Sequence, residues 1–429
     1  MRPLIPSQTA LVLGGGGAKG AYQIGAMRAL SDLGISCGSV YGTSVGALNA
    51  AMYAQGDVEK AEALWQNLSL SDLVTPENRA LADSAEALFD HPERMLDFIT
   101  RNAQRKGIDT APLRALIAQY ADEPKIRQST VRLGLVTTRF PSMQRVERRL
   151  ADMEAGSLHD WLMASSACFP VFPMVRIGED RYMDGGFCDN VPVDMAVMDG
   201  AKRIIAIDIG RTQSHAQYAR RPNVTYIRAT HPLGGLLTFD PDMSRRNEII
   251  GYNDTLRAFG RMRGTRYAFD PVDAQALYTR AQDFVAHLTL ADARLQRSGL
   301  LARSDEAPLI SCIEEELVPG ADEIDYFLRA CELCAEIAQV NPAQVFTFDT
   351  FIQELRAKLP LQKAESMLDS LLGGRIGVLF SPPQPDRRLV IACLYHLLQR
   401  ESTFSPLTLR TLCRFPREML CALTLREIL

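Results

Sequence analysis

Hydrophobic positions in the first half of the chain fall into short β-branched runs, separated by stretches where apolar residues recur every three or four positions. Strand followed by amphipathic helix, repeated, is the rhythm of a parallel sheet flanked by helices. Thr9 to Leu13 predicts a buried strand, Gly14 to Gly17 a tight loop, and Ala21 to Leu33 a helix stopped by Gly34. A second unit starts with a strand at Gly38 to Tyr41, turns through Gly42-Thr43-Ser44-Val45-Gly46, and continues as the small-residue helix Ala47 to Ala54. Further strands are expected at Val131 to Thr138, Val175 to Ile177, Arg203 to Ile209 and Val224 to Ala229.

The pattern changes twice. Between about Leu68 and Pro124 the chain turns charged and helical, which predicts a cap inserted beside the sheet over about 68–125. After about residue 300, leucines at helical spacing dominate to Leu429, interrupted by Gly373-Gly374 and by the Pro-rich stretch Ser381 to Pro385. The expected organisation is an α/β domain over 1–300, its mainly parallel sheet sandwiched by helices, followed by a smaller helical domain over 301–429. Leucine stripes of this kind are more often core than interface.

Composition narrows the classes of function. The 429 residues suffice for two cores, and 47% apolar with 23% charged residues is ordinary for a soluble globular protein. A net charge of −4 with no long run of one sign removes nucleic acid as the expected partner. Nine cysteines without framework spacing, and no signal-peptide pattern ahead of the first glycine loop, predict a reducing cytoplasm. No window approaches the ~18 uninterrupted apolar residues of a spanning helix, so any contact with lipid is expected to be peripheral.

Three segments carry candidate chemistry. Gly42 to Gly46 reads G-x-S-x-G, in which Gly42 and Gly46 leave room for a sharp strand-to-helix turn that exposes the Ser44 hydroxyl. The competing reading is a helix start with Ser44 as its N-cap. The loop Gly14 to Gly20 follows a strand and opens a helix, so several backbone N–H groups converge where negative charge would bind. It also spells G-x-G-x-x-G, but no acidic residue closes a second strand about 20 residues on to grip a ribose. Lys19 is followed by Gly20 rather than Ser or Thr, which argues against a P-loop.

Asp184-Gly185-Gly186 puts a carboxylate at a strand end, where it is either a general base for a serine or ordinary turn chemistry. Of the six histidines, His231 is the best placed, yet none has an evident catalytic setting or metal-ligand spacing. Asp208 is the competing carboxylate. Cys331 and Cys334 read as packing cysteines.

The stretches GGGGAKGAYQIGAMRAL, YGTSVGALNA, ASSACFPVFP and DGGFCDNVPV, in that order, together resemble the patatin-like phospholipase family over about Ala10 to Gly260. Leu236 to Ala258 looks like bacterial members. The resemblance implies a dyad of Ser44 and Asp184, an oxyanion hole from the backbone of Gly15, Gly16 and Gly17, turns supported by Gly42, Gly46, Gly185 and Gly186, and neither metal nor cofactor. It further implies hydrolysis of phospholipid or acylglycerol esters through an acyl-enzyme, by a cytoplasmic protein touching the inner membrane peripherally. The alternative is a silent or partner-gated lipid-binding protein on the same fold. The helical domain over 301–429 is where a regulatory partner or self-association is expected.

Overall fold

The computed structural model describes residues 8–75, 109–169, 171–210, 214–270, 274–297, 308–314, 316–317, 320–371, 386–400 and 415–429. The chain divides into two compact units, Met1–Ala258 and Phe259–Leu429. That break falls earlier than the residue-300 boundary expected from composition, because the helix Ala274–Arg297 packs into the second unit's core. Much of the expected cap, 76–108, lies outside the described residues, as do Gly373-Gly374 and Ser381 to Pro385.

The first unit begins as expected, with β1 (Thr9–Leu13), the glycine loop, a 3-10 turn at Gly17–Gly20 and α1 (Ala21–Asp32). The strand β2 (Ser39–Thr43) passes through the single residue Ser44 into α2 (Val45–Gln55). Three helices follow among the described residues: α3 (Val58–Trp65), α4 (Ala111–Tyr120) and α5 (Glu123–Gln128). Then come β3 (Arg132–Phe140), β4 (Gln144–Arg149), α6 (Leu158–Ser165), β5 (Val175–Ile177) and β6 (Asp180–Asp184). The unit ends with α7 (Val193–Met198), β7 (Arg203–Asp208), α8 (Ala216–Ala219), β8 (Val224–Arg228) and α9 (Pro241–Ala258).

Eight strands form one sheet in the order β5-β6-β3-β2-β1-β7-β8, with β4 also on β3. The run β3-β2-β1-β7-β8 is parallel, while β4, β5 and β6 pair antiparallel, so the sheet is mixed but mostly parallel. Its central strands are buried on both faces, which is why they read as continuous apolar runs. The strand β4 has no such signature: in QRVERR only Val146 is buried, and the other residues are charged or polar. One sheet face packs Ala10, Val12, Ile204 and Ala206 against Val193, Met195 and Ala196 of α7. The helices α1 and α9 press backbone to backbone: a Cβ on Gly25 would lie 1.8 Å from the Glu248 carbonyl oxygen, and one on Gly251 2.0 Å from that of Tyr22.

The second unit adds a short parallel pair, β9 (Ala268–Phe269) with β10 (Val345–Phe346), to an otherwise helical set. Its described helices are α10 (Ala274–Arg297), α11 (Pro308–Glu314), α12 (Glu323–Ala338), α13 (Phe348–Lys358), α14 (Leu361–Leu371), α15 (Arg387–Arg400) and α16 (Pro416–Ile428). They share a core that includes Phe284, Phe327, Phe351, Leu394 and Leu420, with the Phe269 and Phe351 rings 4.9 Å apart. Cys331 and Cys334 are buried in it, the latter donating to the Ala330 carbonyl at 3.3 Å, in keeping with packing.

Candidate active site

The register of β3 brings two distant segments together. Along one edge of β3, Thr43 of β2 pairs with Val136, and Asp184 of β6 pairs with the next residue, Thr137. The other edge is occupied by β4 over Gly134 to Arg139. Since β2 runs parallel to β3 and β6 antiparallel, their C-terminal ends meet head to head. Ser44 follows Thr43 and Asp184 ends β6, so the two side chains sit at one point although 140 positions separate them. Leu13 pairs with Gly42 on one side and Ile207 on the other, and the glycine loop therefore leaves β1 at the same level.

Ser44 has φ 55° and ψ −128° and makes no side-chain cap to α2, which argues against the N-cap reading. A turn this tight leaves no space for side chains beside it. A Cβ on Gly42 would lie 2.2 Å from the Gly46 carbonyl oxygen, and one on Gly46 would lie 2.2 Å from that of Leu13. Gly185 is equally constrained, its Cβ position lying 2.3 Å from the Val136 carbonyl oxygen, whereas at Gly186 the nearest atoms are the Asn190 and Asp184 side-chain oxygens at 3.0 and 3.1 Å.

Asp184 is 5% exposed. Burial raises its pKa to about 6, opposed by hydrogen bonds from the Ser44 hydroxyl and the Gly186 amide, the latter at 2.7 Å. A carboxyl poised there is ionised at neutral pH, yet basic enough to take a proton.

Among the three expected oxyanion donors, the amides are not equivalent. The Gly15 N–H donates to the Asn190 carbonyl at 3.0 Å, so it is committed to the fold rather than free for a ligand. The Gly16 and Gly17 amides have no protein acceptor among the described residues. At Gly17 φ is +56°, and a Cβ would lie 2.1 Å from the Leu236 carbonyl oxygen.

Ser44, Asp184 and Gly15 to Gly17 all line one cavity of about 320 Å³, which Lys19, Leu48, Phe172, Phe187 and Leu236 also face. Among the described residues no histidine lines it. His231 does not face it, and His215 instead meets Asp189 at 2.9 Å. Asp208 is absorbed by its own loop, accepting from Gly210 N at 2.8 Å, Ser214 N at 3.1 Å and the Tyr226 hydroxyl at 2.8 Å.

Three positioning residues escape a reading of sequence alone. Ser165 Oγ accepts from the Ser44 amide at 2.9 Å and donates to the Val136 carbonyl at 2.7 Å, tying the elbow to β3. Asn190 clamps Gly15 from both sides, its carbonyl accepting the Gly15 N–H and its Nδ2 donating to the Gly15 carbonyl at 3.1 Å. Gln23 Nε2 holds the Gly14 carbonyl at 2.7 Å. All three are small polar residues whose partners are backbone groups far away in sequence or hidden by the turn.

Residues 11–197 match the family model Patatin-like phospholipase. The chain is similar to patatin-like phospholipase domain-containing protein 7 of Mus musculus, 30% identical over 216 residues that cover 49% of this chain and 14% of that protein. It is also similar to lysophospholipase NTE1 of Scheffersomyces stipitis, 26% identical over 200 residues, covering 47% of this chain and 12% of the relative. The matched stretch is thus about one seventh of these relatives' length. Among solved structures, VipD from Legionella pneumophila aligns at 14% identity with a TM-score of 0.40, covering 99% of this chain and 90% of that one. The family-model match takes in the elbow, the glycine loop and the Asp184 turn, and the stretch 11–197 is thus similar to patatin-like phospholipase domains.

Proposed function

We propose that the protein hydrolyses acyl ester bonds of lipids, with Ser44 as nucleophile and Asp184 as its general base. The observation that carries this reading is the head-to-head meeting of β2 and β6 on one edge of β3, which brings the Ser44 hydroxyl to a buried carboxylate beside the Gly16 and Gly17 amides, which have no protein acceptor among the described residues. Asp184 accepts the hydroxyl proton as Ser44 Oγ attacks the ester carbonyl, and the Gly16 and Gly17 amides hold the oxyanion, each worth about 3 kcal/mol of barrier. Asp184 then returns the proton to the leaving alcohol, and an acyl-enzyme remains. Water, deprotonated by the same aspartate, attacks the acyl-enzyme, and Asp184 returns that proton to Ser44 Oγ as the fatty acid leaves. No step calls for a metal or cofactor.

The names of the relatives support phospholipid or lysophospholipid as the substrate class. Contact with the bilayer would be peripheral and would involve Phe187, an exposed aromatic on the cavity wall. Among the described residues no helix is long and apolar enough to cross a membrane. A cytoplasmic, inner-membrane site of action and a regulatory role for the second unit belong to the same proposal.

The test is fatty-acid release from mixed phospholipid vesicles by the wild type and Ser44→Ala, alongside labelling with a serine-reactive phosphonate. Release and labelling that both disappear in the variant support the reading. Absence of both from the wild type would turn the assignment toward a silent or partner-gated lipid-binding protein.

A further inference from the structure

The corner of the sheet formed by β5, β6 and the C-terminal end of β3 carries a row of three side chains that the Ser44 site does not use. Arg176 of β5 lies directly opposite Arg181 of β6, and Arg181 lies directly opposite Phe140 of β3. Directly opposite residues project on one face of a sheet, so the three stand side by side. The Arg181 guanidinium lies over the Phe140 ring, 5.3 Å from its centroid. Both arginines are exposed. Like charges directly opposite one another are unfavourable, and a carboxylate between them would relieve the repulsion. Among the described residues none does so: Asp180 is taken by Arg139 at 3.3 Å, Glu179 forms no ion pair, and Arg176 Nε donates to the Gly178 carbonyl at 3.2 Å. Arg145, on the other side of β3, is compensated by contrast, with Glu147 at 2.8 Å and Asp189 at 2.9 Å.

From Phe140 the chain turns through Pro141 and Ser142 to Met143, which is 45% exposed at the tip of the β3–β4 hairpin. The Met143 carbonyl accepts the Cys188 thiol at 3.0 Å, which ties this tip to the neighbouring Phe187, 44% exposed and on the wall of the Ser44 cavity. A path of contacts thus runs from the cavity wall through two exposed apolar side chains to two uncompensated cations. That combination suits a bilayer carrying negative charge: arginines grip lipid phosphates bidentately, while apolar side chains enter the boundary between headgroups and acyl chains. We infer that this corner is the face with which the protein docks on an anionic phospholipid bilayer. The inference rests on the hydrolase reading for the choice of a bilayer, and on the opposed arginines and the hairpin tip for its location.

Binding and turnover test it separately. The full chain carrying Ser44→Ala, in which turnover plays no part, is sedimented with vesicles of phosphatidylcholine alone or of equimolar phosphatidylcholine and phosphatidylglycerol. Binding should favour the mixed vesicles and weaken as salt is added. Arg176→Gln and Arg181→Gln should each weaken it about fivefold, and together about thirtyfold, with no loss of thermal stability, since each removes a like-charge pair. Met143→Ser should weaken it about tenfold. With Ser44 restored, the double arginine variant should keep its turnover of the soluble ester p-nitrophenyl butanoate while its fatty-acid release from mixed vesicles falls. Equal binding to the two kinds of vesicle, or mixed-vesicle binding that the double variant leaves unchanged, would overturn the surface, and turnover of the soluble ester would leave the hydrolase standing. No binding to either vesicle would also overturn it and turn the corner toward a protein partner. Arginine-dependent binding to mixed vesicles without any ester turnover would keep the surface and overturn the catalytic assignment.

Discussion

Ser44 holds backbone torsions that a residue with a Cβ rarely adopts, φ 55° with ψ −128°, and the strain persists because the Ser165 hydroxyl and the turn glycines leave the chain no alternative. Asp184 shows the same tension between site and fold. Its pKa of about 6 lies above that of a carboxyl in the unfolded chain, about 3.9. The folded state therefore binds its proton more tightly, and the contribution to stability is fully present below about pH 3.9 and is lost as pH rises through about 6. At neutral pH the ionised, buried carboxylate costs up to about 3 kcal/mol.

Two opposite outcomes follow for Asp184→Asn. Ester turnover should fall roughly 10²- to 10⁴-fold with loss of the base, while the thermal midpoint at pH 8 should rise by a few degrees. That gain should shrink toward zero at pH 4, where the wild-type carboxyl is itself protonated in the folded state. In the wild type, turnover should drop about tenfold per pH unit below about 6, in step with protonation of Asp184. A pH–rate profile and paired melts at the two pH values check both; a melt unchanged at pH 8 would mean that Asp184 is not charged and buried as described.

At the scale of elements, the first turn of α2 lies directly on the end of β1. A methyl group on Gly46 would meet the Leu13 and Gly14 carbonyl oxygens at 2.2 and 2.7 Å, and both are backbone atoms held by the sheet. Gly46→Ala should therefore displace α2, lower stability by about 3 kcal/mol, and abolish phosphonate labelling of Ser44. Urea unfolding and labelling measured on the same preparation test this. The sequence shows that Gly46 belongs to a tight turn, but not that the obstacle is a neighbouring strand. The strand β4 marks the limit from the other side: its charged residues carry no period-two pattern, and it exists because β3 offers it an edge.

At the scale of the whole molecule, the two compact units have cores of their own. Both tryptophans, Trp65 and Trp161, lie in the first unit. In the second, Arg329 is 1% exposed and faces three carboxylates, Glu336 at 2.7 Å, Glu316 at 3.1 Å and Glu332 at 3.5 Å. Arg329→Ala would remove the buried cation that these carboxylates share, at a cost of about 3–5 kcal/mol. Far-ultraviolet circular dichroism, dominated by helices, should then show an earlier transition, while tryptophan fluorescence keeps its own. If both probes shift together, the units do not unfold separately.

Local pattern alone determined much of this protein. Alternating strands and helices, the glycines that permit sharp turns, and the candidacy of Ser44 and Asp184 all depend on residues within a few positions of each other. Tertiary structure decided what depends on pairing across the chain. The register of β3 joins Thr43 to Val136 and Asp184 to Thr137, and no local period encodes which strand ends will meet. The Asn190 carbonyl claims the Gly15 amide and so separates one glycine donor from the other two. The domain break at Ala258 arises in the same way, because packing assigns a helix to a core only once distant side chains share the space.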